Sequence, residues 1–242
     1  NLLVGNAADS AVLEITLGQC AFVFHRDGWF ALAGADCAAT LDGQPVWSGW
    51  RWPVRAGQRL KLALPKRGMR SYLAVAGGFD VPCMMGSYST DLKAGFGGFE
   101  GRSLQEGDRL PLRPTTREFR QRRGVRQLQW GNRVRALPGP EYHEFSAAAH
   151  ESFWRAPWKL SPQSNRMGYR MQGQTLERTE SREMFSHGLL PGVVQVPHNG
   201  QPIVLMNDAQ TTGGYPRIAC VIEADMYNLA QIRLGETVHF DL

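Results

Sequence analysis

The sequence predicts a mainly β protein made of two similar barrel- or sandwich-like units with a few short helices. Three observations carry this. Apolar or alternating segments of strand length recur along the chain. The 27 glycines and 14 prolines fall at short intervals and leave long helices little room. The two halves also repeat an order of motifs.

The segments 13–17 and 21–25 are short, apolar and rich in β-formers, and 59–64 alternates polar and apolar residues as a half-buried strand does. Segments 71–76 and 203–206 are short uncharged runs and predict fully buried strands. Helices are predicted at 144–155, where three consecutive alanines accompany Phe145, Ala149 and Phe153, and at 224–231, around Met226, Leu229 and Ala230.

The repeated motifs come in the same order in each half. Pro65 to Gly68 precedes strand 71–76, then Gly77-Gly78-Phe79, then a closing segment at 107–112. Pro197 to Gly200 precedes strand 203–206, then Gly213-Gly214-Tyr215, then a closing segment at 235–240. This predicts units over 1–113 and 127–242, joined by an Arg-rich linker at 114–126.

Composition narrows the function classes. With 43% hydrophobic and 20% charged residues the 242-residue chain is an ordinary globular protein. The net charge of +5 permits anionic ligands. Nucleic-acid binding is not expected, since the main basic cluster, Arg117, Arg120, Arg122, Arg123 and Arg126, lies in polar sequence and reads as a solvated linker. Cys20, Cys37, Cys83 and Cys220 are scattered without a C-x-x-C, which predicts reduced thiols and a cytoplasmic setting. The uncharged stretch 184–207 is broken by Pro191, Pro197 and Pro202, so no membrane span is expected. No phosphate loop, G-x-S-x-G or H-E-x-x-H occurs, and no histidine stands at metal-ligand spacing.

Three polar segments remain as candidate sites. In 164–170, Asn165 lies beside Arg166 and Arg170, whose guanidinium forks suit a carboxylate or phosphate, and Tyr169 offers a phenolic donor. A β-edge with two solvated arginines explains this segment equally well. In 207–216, Asp208 is a candidate base or orienting group, Gln210, Thr211 and Thr212 add polar contacts, and Gly213 and Gly214 before Tyr215 allow backbone N–H groups to approach an anion. An Asx-type turn with a glycine bulge is the plainer alternative. In 86–102, Ser89, Thr90, Lys93 and Arg102 accompany several glycines, as in an anion cleft or a mobile surface loop. In a two-unit protein these segments are expected to meet in the cleft between units.

These segments together resemble a known family. The stretches 164–170 (Ser-Asn-Arg-Met-Gly-Tyr-Arg), 191–197 (Pro-Gly-Val-Val-Gln-Val-Pro), 200–205 (Gly-Gln-Pro-Ile-Val-Leu) and 211–216 (Thr-Thr-Gly-Gly-Tyr-Pro) are similar to the biotin-dependent carboxyltransferase-like family. That family includes the carboxyltransferase part of urea carboxylase and the sporulation-kinase antagonist KipA. The stretches 70–78 and 89–93 match it too, and 136–145 (Ala-Leu-Pro-Gly-Pro-Glu-Tyr-His-Glu-Phe) looks most like its 5-oxoprolinase branch.

The resemblance implies cyclophilin-like β-barrel units. It implies a cytoplasmic complex with subunits A and B in which ATP, with Mg, is hydrolysed to open the lactam of 5-oxoproline to glutamate. For that reaction Arg166, Asp208 and Tyr169 are the candidates for catalysis, and the other polar residues of the three segments the candidates for binding substrate or phosphate. A KipA-like regulatory module and a urea-type carboxyltransferase are the alternatives within the family. No Met-Lys-Met is present, so no biotin attached to this chain is expected. Relatives begin with a segment bearing Thr-Val-Gln-Asp that is not seen here, so the first unit is expected to lack part of its N-terminal segment.

Overall fold

The structure is a computed structural model that describes residues 1–179 and 184–242. It divides into two units, 1–128 and 129–242.

The first unit contains ten strands: β1 (Leu13–Thr16), β2 (Cys20–Val23), β3 (Gly28–Gly34), β4 (Thr40–Leu41), β5 (Gln44–Pro45), β6 (Arg51–Val54), β7 (Arg59–Leu62), β8 (Arg70–Val75), β9 (Thr90–Asp91) and β10 (Phe96–Gly97). Two four-stranded sheets, ordered β1-β8-β3-β6 and β2-β7-β4-β5, share one core, while β9 and β10 form a small separate ladder. Phe30, Leu32, Trp52, Leu73 and Val75 enter that core from one sheet and Leu41, Leu60 and Leu62 from the other. Burying each such side chain contributes about 1.5–3 kcal/mol.

Strand β7 alternates as its sequence predicts, with Leu60 and Leu62 buried and Arg59 and Lys61 exposed. Strand β8 is buried nearly throughout because both its faces are covered. Leu73 and Val75 face the main core, and Ala74 joins a second small cluster with Val4, Ala31 and Ala76.

The second unit contains β11 (Arg133–Pro138), β12 (Trp158–Leu160), β13 (Gly168–Gln172), β14 (His187–Gly188), β15 (Val193–Gln195), β16 (Ile203–Leu205), β17 (Thr212–Gly213), β18 (Arg217–Val221) and β19 (Thr237–Asp241), with helices α1 (Ala147–Arg155) and α2 (Glu223–Gln231). Seven strands close into a barrel ordered β11-β18-β15-β16-β13-β12-β19. Closure comes from β19, which pairs antiparallel with β12 and parallel with β11.

Helix α1 begins later than its predicted start at 144, because the Ser146 side chain accepts a hydrogen bond from the Ala149 N–H and sets the first turn. Its Phe153 stacks on Phe240 of β19 at 4.6 Å. Among the described residues no helix is long and apolar enough to cross a membrane.

The mainly β reading with short helices holds, and three details differ. Barrel closure is seen in the second unit, whereas the first pairs two separate sheets. The segment 114–126, expected to be a solvated linker, is laid along the edge of β6: the Arg51 N–H donates to Arg123 O at 2.9 Å, and Phe119 lies edge-on to Trp29 at 5.5 Å. The repeat is also offset. By pairing order, β8 between β1 and β3 corresponds to β18 between β11 and β15, not to β16. An apolar run marks burial, but only the hydrogen-bonded neighbours distinguish one buried strand from another.

Candidate functional site

Strands β13 and β16 are antiparallel neighbours, with Gly168 opposite Leu205 and Arg170 opposite Ile203. The loop entering β13 therefore meets the loop leaving β16. Two backbone bonds join them, from Met206 N–H to Met167 O and from Asp208 N–H to Arg166 O, each at 3.1 Å. This brings Arg166 and Asp208 together as a fork: Nε donates to Oδ2 at 2.7 Å and Nη2 to Oδ1 at 3.2 Å. Both side chains are about 40% exposed. Both carboxylate oxygens of Asp208 thus accept from the guanidinium, a fork geometry that holds the plane of Arg166.

The other predicted residues divide. Asn165 Oδ1 accepts the Met167 N–H at 2.8 Å and so shapes the Arg166 loop. Gln210, Thr211 and Thr212 are exposed on the segment that follows Asp208. Tyr215 is 43% exposed and meets His198 edge-on at 5.9 Å.

Arg170 lies on the exposed face of β13, with its backbone N–H bonded to Ser164 Oγ at 2.9 Å. Tyr169 corrects the expectation of a ligand-facing phenol. It alternates inward with Met171, is 1% exposed and belongs to the barrel core. Period-two alternation along 168–172 makes Arg170 and Tyr169 point to opposite faces.

Gly213 and Gly214, expected from sequence to let backbone N–H groups approach an anion, also have a packing role. Thr212 and Gly213 form β17, pairing with Gly188 and His187 of β14. The small size of both glycines permits close approach. A Cβ on Gly213 would sit 2.9 Å from Leu189 and 3.2 Å from the Gln195 amide nitrogen, and one on Gly214 would sit 2.9 Å from Met184 O.

In the first unit, Thr90 lies in β9 opposite Gly97, with Ser89 just before it, and the Lys93 backbone N–H donates to Asp91 Oδ1 at 2.9 Å. Arg102 is not open to a ligand as expected. Its Nε, Nη1 and Nη2 donate to Glu100, Asp108 and the Ser103 carbonyl. The bond from Arg102, followed by the Gln105 N–H, lowers the Asp108 carboxyl to about 2. Ser89, Thr90, Lys93 and Arg102 belong to the first unit, and Arg166 and Asp208 to the second.

Sequence reasoning missed the pair beside the Thr211–Tyr215 stretch. Arg217, first residue of β18, donates from its backbone N–H and its Nε to Glu141 Oε2 at 3.0 and 2.7 Å, and from Nη2 to Oε1 at 2.6 Å. Burial pushes the Glu141 carboxyl up, but Arg217 and the nearby His187 outweigh it and hold it below its ordinary value. Gln195, 2% exposed, donates to Tyr215 O at 3.3 Å. No local pattern marked the pair: Glu141 follows β11 just after Gly139, where a Cβ would come within 2.2 Å of Arg217 O.

The arrangement joins an oriented guanidinium, exposed hydroxyls and an amide side chain at the end of a rigid barrel. That combination suits holding a small planar or anionic ligand.

Comparison with known proteins agrees with this fold. The family described as carboxyltransferase domain, subdomain A and B, matches residues 1–242. The chain is 70% identical over 240 residues to the C subunit of 5-oxoprolinase from Escherichia coli, covering 99% of this chain and 77% of that protein. It is 48% identical to the protein of the same name from Haemophilus influenzae, covering 100% and 78%. A crystal structure of TTHA0988 superposes with a TM-score of 0.88 at 33% identity, and this chain spans 48% of that one.

Proposed function

The chain belongs to the carboxyltransferase domain family, subdomains A and B, and from that premise we infer that it serves as the C subunit of a 5-oxoprolinase. The observation that carries the reading is the 70% identity over 99% of the chain to a relative bearing that name. Urea-type carboxyl transfer has no comparable support.

The activity belongs to a hydrolase complex with subunits A and B, in which ATP hydrolysis drives opening of 5-oxo-L-proline to L-glutamate. A lactam carbonyl is a weak electrophile because its nitrogen lone pair is delocalised. Transfer of the γ-phosphoryl group of ATP to the lactam oxygen releases ADP, and loss of the lactam N–H proton leaves a C=N bond whose ring carbon is electrophilic. Water then adds to that carbon, and the C–N bond breaks with the nitrogen taking a proton. A second water cleaves the resulting acyl phosphate, giving glutamate and phosphate.

Negative charge gathers on oxygen at each stage, and fixed donors stabilise it. Arg166, held flat by Asp208, and the hydroxyls of Thr211 and Thr212 fit that role. The sequence carries no phosphate loop. We therefore assign ATP, with any Mg it brings, to a companion subunit or to a site shared with one.

Reconstitution tests the reading. The chain combined with subunits A and B is expected to release glutamate only when both ATP and 5-oxoproline are supplied, and omission of any one component is expected to abolish release. Arg166→Ala is expected to slow turnover about 100-fold, the worth of one preorganised donor. Turnover that persists without this chain would remove it from the enzyme.

A further inference from the structure

The segment 114–128 carries five arginines and one acid, Glu118. All five, Arg117, Arg120, Arg122, Arg123 and Arg126, are exposed. Among the described residues none of the five makes an ion pair with a carboxylate, whereas Arg70, Arg102, Arg133 and Arg217 elsewhere all do. Neighbouring arginines also disfavour each other's charge, and Arg51 is lowered first by burial and then by Arg123.

The same surface exposes large apolar groups: Trp47 by 58%, Trp50 by 39%, Val125 by 58% and Leu128 by 66%. Contacts hold the two tryptophans and the Val125 backbone in place. Trp47 packs edge-on against Trp50 at 6.4 Å and against the buried Trp52 at 5.4 Å. The Trp52 indole N–H donates to Trp47 O at 3.2 Å. The Val125 N–H donates to Gly49 O at 2.8 Å, and Ser48 Oγ to Gln127 Oε1 at 3.2 Å. A Cβ on Gly124 would fall 2.4 Å from the Trp50 ring, so glycine lets the segment lie flat on that indole. The Arg122 guanidinium stands 4.3 Å over the Trp52 ring.

Rigid tryptophans and aliphatics among arginines without carboxylate partners have the composition of a protein-docking hot spot. We infer that this face of the first unit docks an acidic surface of a companion subunit. The inference rests on the multi-subunit reading above. A second copy of this chain is disfavoured, since facing arginines would repel. Nucleic acid is disfavoured as well: Trp47 and Trp50 are engaged edge-on with other rings rather than offered as stacking faces, and exposed Val125 and Leu128 have no use beside phosphates.

The test is charge reversal in the full chain, Arg122→Glu with Arg123→Glu and Arg126→Glu, and separately Trp47→Ser, measured by sedimentation against purified subunits A and B. The reversal is expected to weaken assembly at least about tenfold and to lower turnover at limiting partner concentration, with turnover restored at saturation. Trp47→Ser, which leaves the charges in place, is expected to weaken assembly in the same direction and guards against a reversal that misfolds. Assembly within about twofold of wild type in both folded variants would overturn the inference and leave the oxoprolinase reading intact. Wild-type chain that joins neither companion overturns both. Assembly that depends on this face without glutamate release overturns the oxoprolinase reading and keeps the docking face. A single-stranded oligonucleotide that binds wild type but not the reversed variant, with assembly unaffected, would reassign the face to nucleic acid.

Discussion

Arg166 and Asp208 are both about 40% exposed, so their ion pair adds little to stability. Their joint loss should therefore show in turnover and not in unfolding. Tyr169 is the reverse. Truncating this fully buried ring to alanine is expected to cost about 3–5 kcal/mol, read as a shifted urea midpoint. Tyr169→Phe should keep turnover and lose at most the roughly 1 kcal/mol worth of a hydrogen bond. A turnover collapse in a stably folded Tyr169→Phe would return the phenol to the chemistry.

Titration acts at the same scale. Asp108, Glu141 and Asp225 all have carboxyls held below their ordinary values in the folded protein. A lowered folded-state value means the stabilisation is complete above the ordinary carboxylate range near about 4 and is lost as pH falls through the folded-state values. The stability gap between wild type and Glu141→Gln should accordingly narrow between neutral pH and about pH 3, followed by thermal unfolding. A gap of constant size would exclude the ion pair with Arg217 as its cause.

At the scale of the element, the meeting of 164–170 with 207–211 follows from one antiparallel pairing, β13 with β16. Each segment was legible as polar sequence beside a strand, but which strands are neighbours is not written in either one. Glu141 and Arg217 were harder still, since they lie 76 residues apart and the glutamate sits in a turn with no charge pattern around it. The positions of β1, β2, β7, β8 and β16 and of both helices were legible because alternation and apolar spacing are local, as in β7 and α1, whereas β3, β6, β11, β13, β15 and β18 gave no reading of their own. The packing role of Gly213 was not legible, because the room needed beside Leu189 and Gln195 depends on residues distant in sequence.

Gly139 shows the same logic. A side chain there would overlap Arg217 O and push β11 from β18. Gly139→Ala is expected to cost about 1–3 kcal/mol by overpacking, measured by urea unfolding. An unchanged midpoint would show that the turn yields.

For the whole molecule, the two units meet the problem of exposed sheet edges differently. The second has no free edge among its seven barrel strands, while β5 lies at the margin of a sheet in the first. Amide exchange is therefore expected to be faster at β5 than in β15 or β18, by mass spectrometry of the intact chain. Equal protection would indicate that the β5 edge is covered. The basic segment along β6 shields another edge, which ties the arginine-rich surface to the architecture and not to a linker.

Barrel closure through β19 also has a meaning in time. Arg133 and Asp241, which pair across the seam, are separated by 108 positions. During synthesis β11 emerges early and must wait, with its hydrogen-bonding groups unanswered on one side, until the stretch that completes the ring has left the ribosome. The second unit can therefore close only after translation has passed residue 241. Contacts so distant along the chain make ring completion slow, and the waiting strand is open to mispairing in the interval. A cell making this protein thus has most need to guard the nascent chain while β11 is out and β19 is still inside the ribosome.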